Sequence, residues 1–187
     1  DNPELLNNFA NLLKRHQQET RALTLFRRAI ELQPGYFDAH YNAALLLQDQ
    51  RKVQEVILLL QKALSIKPKH PDAILALAQV FEKSGRVADA EQLLEAAVAE
   101  QPGQLKLWLM YSITLRHQGK YKYALEQLGR AVAINPADLA LKREYATICY
   151  LAGDIKTAMA QVRDLLQQFP TEASLYHLLA DFRWLAG

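Results

Sequence analysis

The side chains best suited to nucleophilic, acid–base or metal chemistry are one cysteine and five histidines, and their spacing supports none of it. His16, His40, His70, His117 and His177 stand far apart, and no two form an H-E-x-x-H or an i, i+4 pair. A metal site would have to gather ligands from different segments, and none is expected. The seven glycines form neither a phosphate-cradling loop nor a dinucleotide fingerprint, and only Gly129 falls inside a predicted helix, so no cofactor is expected. Cys149 shares its place in the chain's periodicity with Leu13, Leu47 and Phe81, which makes it a small apolar filler rather than a reactive thiol. The chain is therefore not expected to be an enzyme.

Composition narrows the partners. Basic and acidic residues number 22 and 20 and are mixed along the chain, for a net charge of +2. A phosphate-binding surface needs clustered Lys and Arg, so nucleic acid is not an expected partner. A single cysteine excludes an internal disulfide and is compatible with a reducing compartment, which points to the cytoplasm. No apolar run reaches the roughly 18 to 20 residues that cross a bilayer, and no membrane insertion is expected. Neither does the start carry a basic–apolar–small signal segment.

The elements that must position any site are set by five of the seven prolines. Pro34, Pro68, Pro102, Pro136 and Pro170 stand 34 residues apart without drift. Such a period marks a solenoid, in which each unit buries its apolar face by stacking on the next. The units run 3–36, 37–70, 71–104, 105–138 and 139–172, followed by a partial unit 173–187. Asp1-Asn2-Pro3 resembles a seam between units and Leu185-Ala186-Gly187 stops within one, so the sequence reads as a piece of a longer protein.

Each full unit holds two apolar-periodic stretches of about 14 residues, the length of a short amphipathic helix. The turns between them carry Gly85-Arg86, Gly119-Lys120 and Gly153-Asp154, with His16-Gln17-Gln18 and Gln50-Arg51-Lys52 in the first two units. Glycine there supplies the left-handed backbone that ends a helix, and the proline stops the second helix. Sustained period-2 alternation is absent, so strands are not expected. The result is eleven helices, paired antiparallel.

Aligned on the prolines, the units show fixed columns. One small column reads Ala10, Ala44, Ala78, Ser112, Ala146, Ala180, and a second reads Ala22, Val56, Ala90, Ala124, Ala158. Seven residues later come Ala29, Ala63, Ala97, Ala131 and Leu165, with Val56 and Leu165 overfilling their places. Large apolar residues lie between, such as Phe26, Leu60, Leu94, Leu128 and Val162. Small residues let helix axes approach, and large ones fill the remaining volume. This alternation, with the 34-residue period, the terminal proline and Trp108, resembles the tetratricopeptide repeat over the whole chain.

The resemblance implies an all-α α-solenoid, a right-handed superhelix of stacked antiparallel helix pairs with a concave groove lined by the first helix of each unit. It also implies a protein or peptide ligand. The groove columns read Asn7, Tyr41, Leu75, Leu109, Arg143, His177, then Asn8, Asn42, Ala76, Met110, Glu144, Leu178, and then Asn11, Leu45, Gln79, Ile113, Thr147, Asp181. They grade from amides (Asn7, Asn8, Asn11, Asn42) to an apolar middle (Tyr41, Leu45, Leu75, Leu109, Met110, Ile113). The carboxylate clamp of chaperone-binding relatives needs Lys at 7, Asn at 11, Asn at 42, Lys at 72 and Arg at 76. Asn11 and Asn42 fit, but Asn7, Asp72 and Ala76 supply no cation. An asparagine ladder like that of O-linked N-acetylglucosamine transferases keeps Asn8 and Asn42 and breaks at Ala76, Met110 and Glu144. The expected ligand is an extended or helical peptide with apolar anchors over Leu75, Leu109 and Ile113.

The last unit breaks column rules. The core column of Leu115 and Cys149 becomes Arg183, and the polar column of Lys14, Gln48, Glu82 and Arg116 becomes Tyr150 and then Trp184. Tyr150, Arg183 and Trp184 are read as a docking face, since Trp, Tyr and Arg are enriched at binding hot spots. Leu58 occupies an otherwise polar column and should face outward. Three readings of function follow. The chain is a non-catalytic interaction scaffold; or it is the substrate-recruiting arm of a larger glycosyltransferase, sulfotransferase or oxygenase; or it is an assembly module that forms a homodimer through its C-terminal helix. Replacing Cys149→Ser should cost about 1 kcal/mol, by burying a hydroxyl with no partner, as read by denaturant unfolding.

Overall fold

The computed structural model describes residues 2–48 and 52–186, with the side chains of 185 and 186 left aside. Gln50 and Arg51, part of one expected turn, lie outside the described residues, as do Asp1 and Gly187. Eleven helices follow in order: α1 (Pro3–Arg15), α2 (Glu19–Leu32), α3 (Phe37–Leu47), α4 (Val53–Ile66), α5 (Pro71–Lys83), α6 (Val87–Glu100), α7 (Leu105–His117), α8 (Tyr121–Ile134), α9 (Leu139–Leu151), α10 (Ile155–Gln168) and α11 (Ala173–Ala186). Among the described residues there is no strand, and no helix is long and apolar enough to cross a membrane.

The chain divides into two compact units, residues 1–93 and 94–187, with the division inside α6. In the first, α1 pairs with α2 and α3 with α4, while α2 lies on α3 and α4 on α5. In the second, α7 pairs with α8 and α9 with α10, while α8 lies on α9 and α10 on α11.

Local chemistry explains where the helices begin and end. Asn2 caps α1, its Oδ1 accepting from the backbone N–H of Glu4 (2.9 Å) and Leu5 (3.3 Å), with Pro3 in the first turn. Asp138 and Asp154 cap α9 and α10 in the same way, accepting from the backbone of Leu141 (2.8 Å) and Thr157 (3.0 Å). The exposed Asp154 carboxyl is held below its usual pKa, first by the Thr157 hydroxyl and then by that backbone N–H. All five second helices, α2, α4, α6, α8 and α10, stop two residues before their proline, because the residue preceding proline is pushed out of the helical region.

Among the described residues, the turns of four hairpins repeat one hydrogen bond. Arg86 N–H donates to Phe81 C=O (2.8 Å), Lys120 to Leu115 (3.0 Å), Asp154 to Cys149 (3.0 Å) and Gln18 to Leu13 (2.9 Å). Closing that ring needs a positive φ at the preceding residue. Gly85, Gly119 and Gly153 supply it at +77°, +70° and +88°, and in the first unit Gln17 takes φ +60° without the freedom of glycine.

The small columns are buried as the packing argument requires. Ala10, Ala44, Ala78, Ser112 and Ala146 are closed off, as are Ala22, Val56, Ala90, Ala124 and Ala158. The overfilled places Val56 and Leu165 are themselves fully buried. Ala180 differs: it is exposed, because no helix of the described residues covers that face of α11. Leu58 faces water, as its column predicts.

A second repeated contact, formed after three of the five prolines, ties a hairpin's exit to the next helix. Trp108 Nε1 donates to Pro102 C=O (2.9 Å). Six residues past two other prolines, His40 Nε2 lies 2.9 Å from Pro34 C=O and Tyr176 Oη donates to Pro170 C=O (2.9 Å). A carbonyl only accepts, so His40 carries its proton on Nε2. Three chemically different side chains thus hold the same loop.

Two stability outcomes follow. Trp108→Phe should lose about 1–2 kcal/mol in denaturant unfolding, by removing a buried donor from a carbonyl it satisfies. Gly129→Ala should gain about 0.5–1 kcal/mol, since Gly129 is exposed within α8 and an added Cβ meets nothing within 4 Å.

Candidate functional site

On a first helix, the face left free by packing is fixed by geometry, because residues three and four apart share a side. In α7 that face carries Leu109, Met110 and Ile113, all half-buried, while Leu107, Trp108, Tyr111, Ser112, Thr114 and Leu115 are buried. Arg143 lies on α9, also half-buried, and its Nε is buried without a hydrogen-bond partner. The adjacent carboxylate of Glu144 is already taken by Arg116 on α7 (2.6 Å). That pair is mostly shielded from water and ties α7 to α9.

The amide-rich face of the first unit is less open. Asn7 is 4% exposed, and its Oδ1 accepts from Asn42 Nδ2 at 3.0 Å. This bond joins α1 to α3. Asn8 is exposed and Asn11 half-buried, and both border a hollow along α1 with Lys14 and Arg15.

Tyr41 is held in a cluster that its column does not reveal. Its ring stacks on Phe37 at 5.6 Å, His70 tilts against both rings at 4.5 Å and 5.7 Å, and Lys67 Nζ sits 4.5 Å above Phe37. Burial raises the Tyr41 phenol above its ordinary pKa, with the Asp72 charge adding to it, so it stays neutral near pH 7. Leu45 and Leu75 are half-buried and Gln79 is exposed.

The trio at the far end does not share one exposed surface. Arg183 and Trp184 are open, Trp184 at 86%. Tyr150 instead lies flat against buried Phe182, at 4.3 Å and 3° between planes, beside Ala146, Cys149, Ala158 and Val162. A new aromatic at 182 therefore draws Tyr150 inward. No column signal showed this, because stacking depends on the partner ring rather than on the position's history.

No chemistry-bearing cluster accompanies these surfaces. Among the described residues, no group of three or more His, Cys, Asp or Glu is placed to hold a metal. Cys149 is buried; desolvation pushes its thiol pKa up, the Asp154 charge adds to this, and a hydrogen bond with Tyr145 offsets part of it. It is consequently a protonated core side chain, and Tyr145 corrects the expectation that a hydroxyl at this position would lack a partner.

Clefts recur instead on the side where second helices lie next to each other. Glu95, Val98, Pro102, Trp108, Tyr111 and Tyr123 help line one of about 400 Å³, where Tyr123 Oη donates to Glu95 (3.0 Å). One unit further, Gly129, Val132, Lys142, Tyr145 and Gln161 line the equivalent space, of about 270 Å³.

Comparison with known proteins agrees with this architecture. Sequence profiles described as tetratricopeptide repeat match residues 7–71, 47–111 and 115–182. No curated protein sequence matches significantly. Among solved structures, a tetratricopeptide repeat protein from Parabacteroides merdae superposes with a TM-score of 0.86 at 16% identity, covering 99% of this chain and 73% of that one. MamA from Desulfovibrio magneticus gives 0.76 at 18% identity, over 92% and 97% of the two chains. YrrB, described as a TPR protein with an unusual peptide-binding site, gives 0.70 at 21% identity, over 92% and 89%. At these identities the likeness speaks for the fold. Profiles spanning most of the sequence, on eleven helices that repeat one hairpin turn and one set of buried small columns, establish that the chain belongs to the tetratricopeptide repeat family.

Proposed function

We propose that the chain is a non-catalytic scaffold that holds a peptide or protein segment against the free faces of its first helices. Leu109, Met110 and Ile113 are its apolar anchors in the second unit, and Arg143 is the polar one. In the first unit Asn8, Asn11, Leu45, Leu75 and Gln79 offer the corresponding face, with Asn7, Tyr41 and Asn42 shaping it from within.

The observation that carries this reading is a contrast within columns. The places of Leu109 and Ile113 are filled elsewhere by Asn7, Arg143 and His177, and by Asn11, Gln79, Thr147 and Asp181. The fold therefore does not require apolar side chains there, and packing leaves these two only half-buried. Apolar groups kept partly in water, where polar ones fit, favour a partner that covers them. Each anchor is already more than half covered, so closing off the remainder would contribute about 0.5–1 kcal/mol before ordering costs.

Arg143 adds a preference to that affinity. Arg143 is cationic and half-buried, and the part of it that reaches the surface favours a ligand carboxylate or carbonyl through a charge-assisted bond. The favoured ligand is thus an apolar peptide with an acidic group near its anchors. The description of YrrB as having a peptide-binding site is in line with this class of ligand.

Selection of a displayed random peptide library on the chain tests the reading. The recovered peptides should share an apolar residue beside an acidic one. Leu109→Glu should weaken them at least tenfold and Arg143→Ala several-fold, without loss of helicity by circular dichroism. Peptides that bind both variants as tightly as the original chain would rule it out.

A further inference from the structure

Of the clefts beside the second helices, the one bordered by α6 and α8 gathers groups that its counterparts lack. Buried Trp108 and Tyr111 line its inner wall, and Tyr123, Ile134 and Glu95 border it as exposed residues. The two tyrosine rings meet edge to face, their centroids 6.5 Å apart. Tyr111 Oη donates to Tyr123 Oη (3.4 Å), which in turn donates to Glu95 Oε1 (3.0 Å). Both hydroxyl protons thus point toward the acid, and Glu95 Oε2 keeps its accepting capacity. Among the described residues no cation pairs with Glu95, and Arg130, which also borders the cleft, is paired with Glu126 on its own helix (2.8 Å).

The same place is filled differently in other units. Between α2 and α4 the column of Glu95 holds Arg27 and that of Tyr123 holds Glu55, and these two form an ion pair at 2.5 Å. Between α8 and α10 the column of Glu95 holds Gly129 and that of Trp108 holds Lys142, so that cleft offers a cation of its own. Packing accepts arginine, glycine or a carboxylate at this position, so the fold does not require Glu95. Where α2 and α4 supply both guanidinium and carboxylate, α6 and α8 supply a carboxylate beside an aromatic ring, and the cation is left for a partner to bring.

We propose that the α6–α8 cleft receives an arginine side chain of a partner protein, its guanidinium between Glu95 Oε2 and the Tyr123 ring and its methylenes against Ile134. A planar, weakly hydrated guanidinium both stacks on an aromatic face and pairs with a carboxylate, whereas an ammonium holds its water more strongly. The pairing of Arg27 with Glu55 is the chain's own template for this contact, and the cleft offers about 400 Å³ to hold the side chain. The site lies apart from Leu109, Ile113 and Arg143 and selects the opposite charge. It therefore stands or falls independently of the proposed peptide surface.

The indole N–H signals of the two tryptophans give the test a built-in reference, since Trp108 lines the cleft and Trp184 stands exposed on α11. Titrating the 187-residue chain with Nα-acetyl-arginine amide should shift the Trp108 signal along a saturating curve and leave that of Trp184 in place. The citrulline analogue, which keeps the shape and loses the charge, should produce no such curve. Glu95→Gln, at an exposed position and with helicity checked by circular dichroism, should weaken the arginine response at least fivefold. An unmoved Trp108 signal up to the solubility limit, equal responses to arginine and citrulline, or an unchanged affinity in Glu95→Gln would each overturn the proposal. An equal response to Nα-acetyl-lysine amide would overturn the choice of a guanidinium.

Discussion

A hairpin of 34 residues cannot bury its own apolar faces, and the rest of this structure depends on that constraint. Each first helix has two sides to cover, one with its own second helix and one with the second helix before it. The alanine columns make this geometrically feasible, because only a side chain of that size lets the helix axes approach closely enough for the leucines and phenylalanines between them to close the remaining volume. Stability is then the sum of many similar contacts between neighbours rather than the property of one core.

That arrangement leaves a division of labour on every first helix. Two sides are committed to packing and one is not, so residues on the uncommitted side vary without disturbing the fold. Amides, apolar residues and charges alternate there from unit to unit, while the packing columns hardly change. Function in such a protein lies in the columns that the fold leaves unspecified. Arg143 illustrates the principle: its sequence neighbour Glu144 is committed to an ion pair with Arg116, while Arg143 keeps an Nε with no hydrogen-bond partner.

Much of the fold was legible because it repeats. The proline ladder marks where all five second helices end, the glycines mark three of the hairpin turns, and Cys149 lies in the core as its column implies. Features that depend on one pair of side chains were not legible. Asn7 looked like an offered amide and is instead bonded to Asn42; Tyr150 looked outward and is stacked on Phe182. Which side chains stay open on the free faces was legible only in outline, since a half-buried leucine and a buried one are the same letter.

Methyl NMR of the chain titrated with a selected peptide tests most directly whether the free faces of the first helices hold a ligand. Leu109, Met110 and Ile113 should shift together and saturate at one stoichiometry, while Leu128 and Val162, buried in second helices, stay in place. Shifts confined to the second helices, with those three methyl groups unmoved, would contradict it.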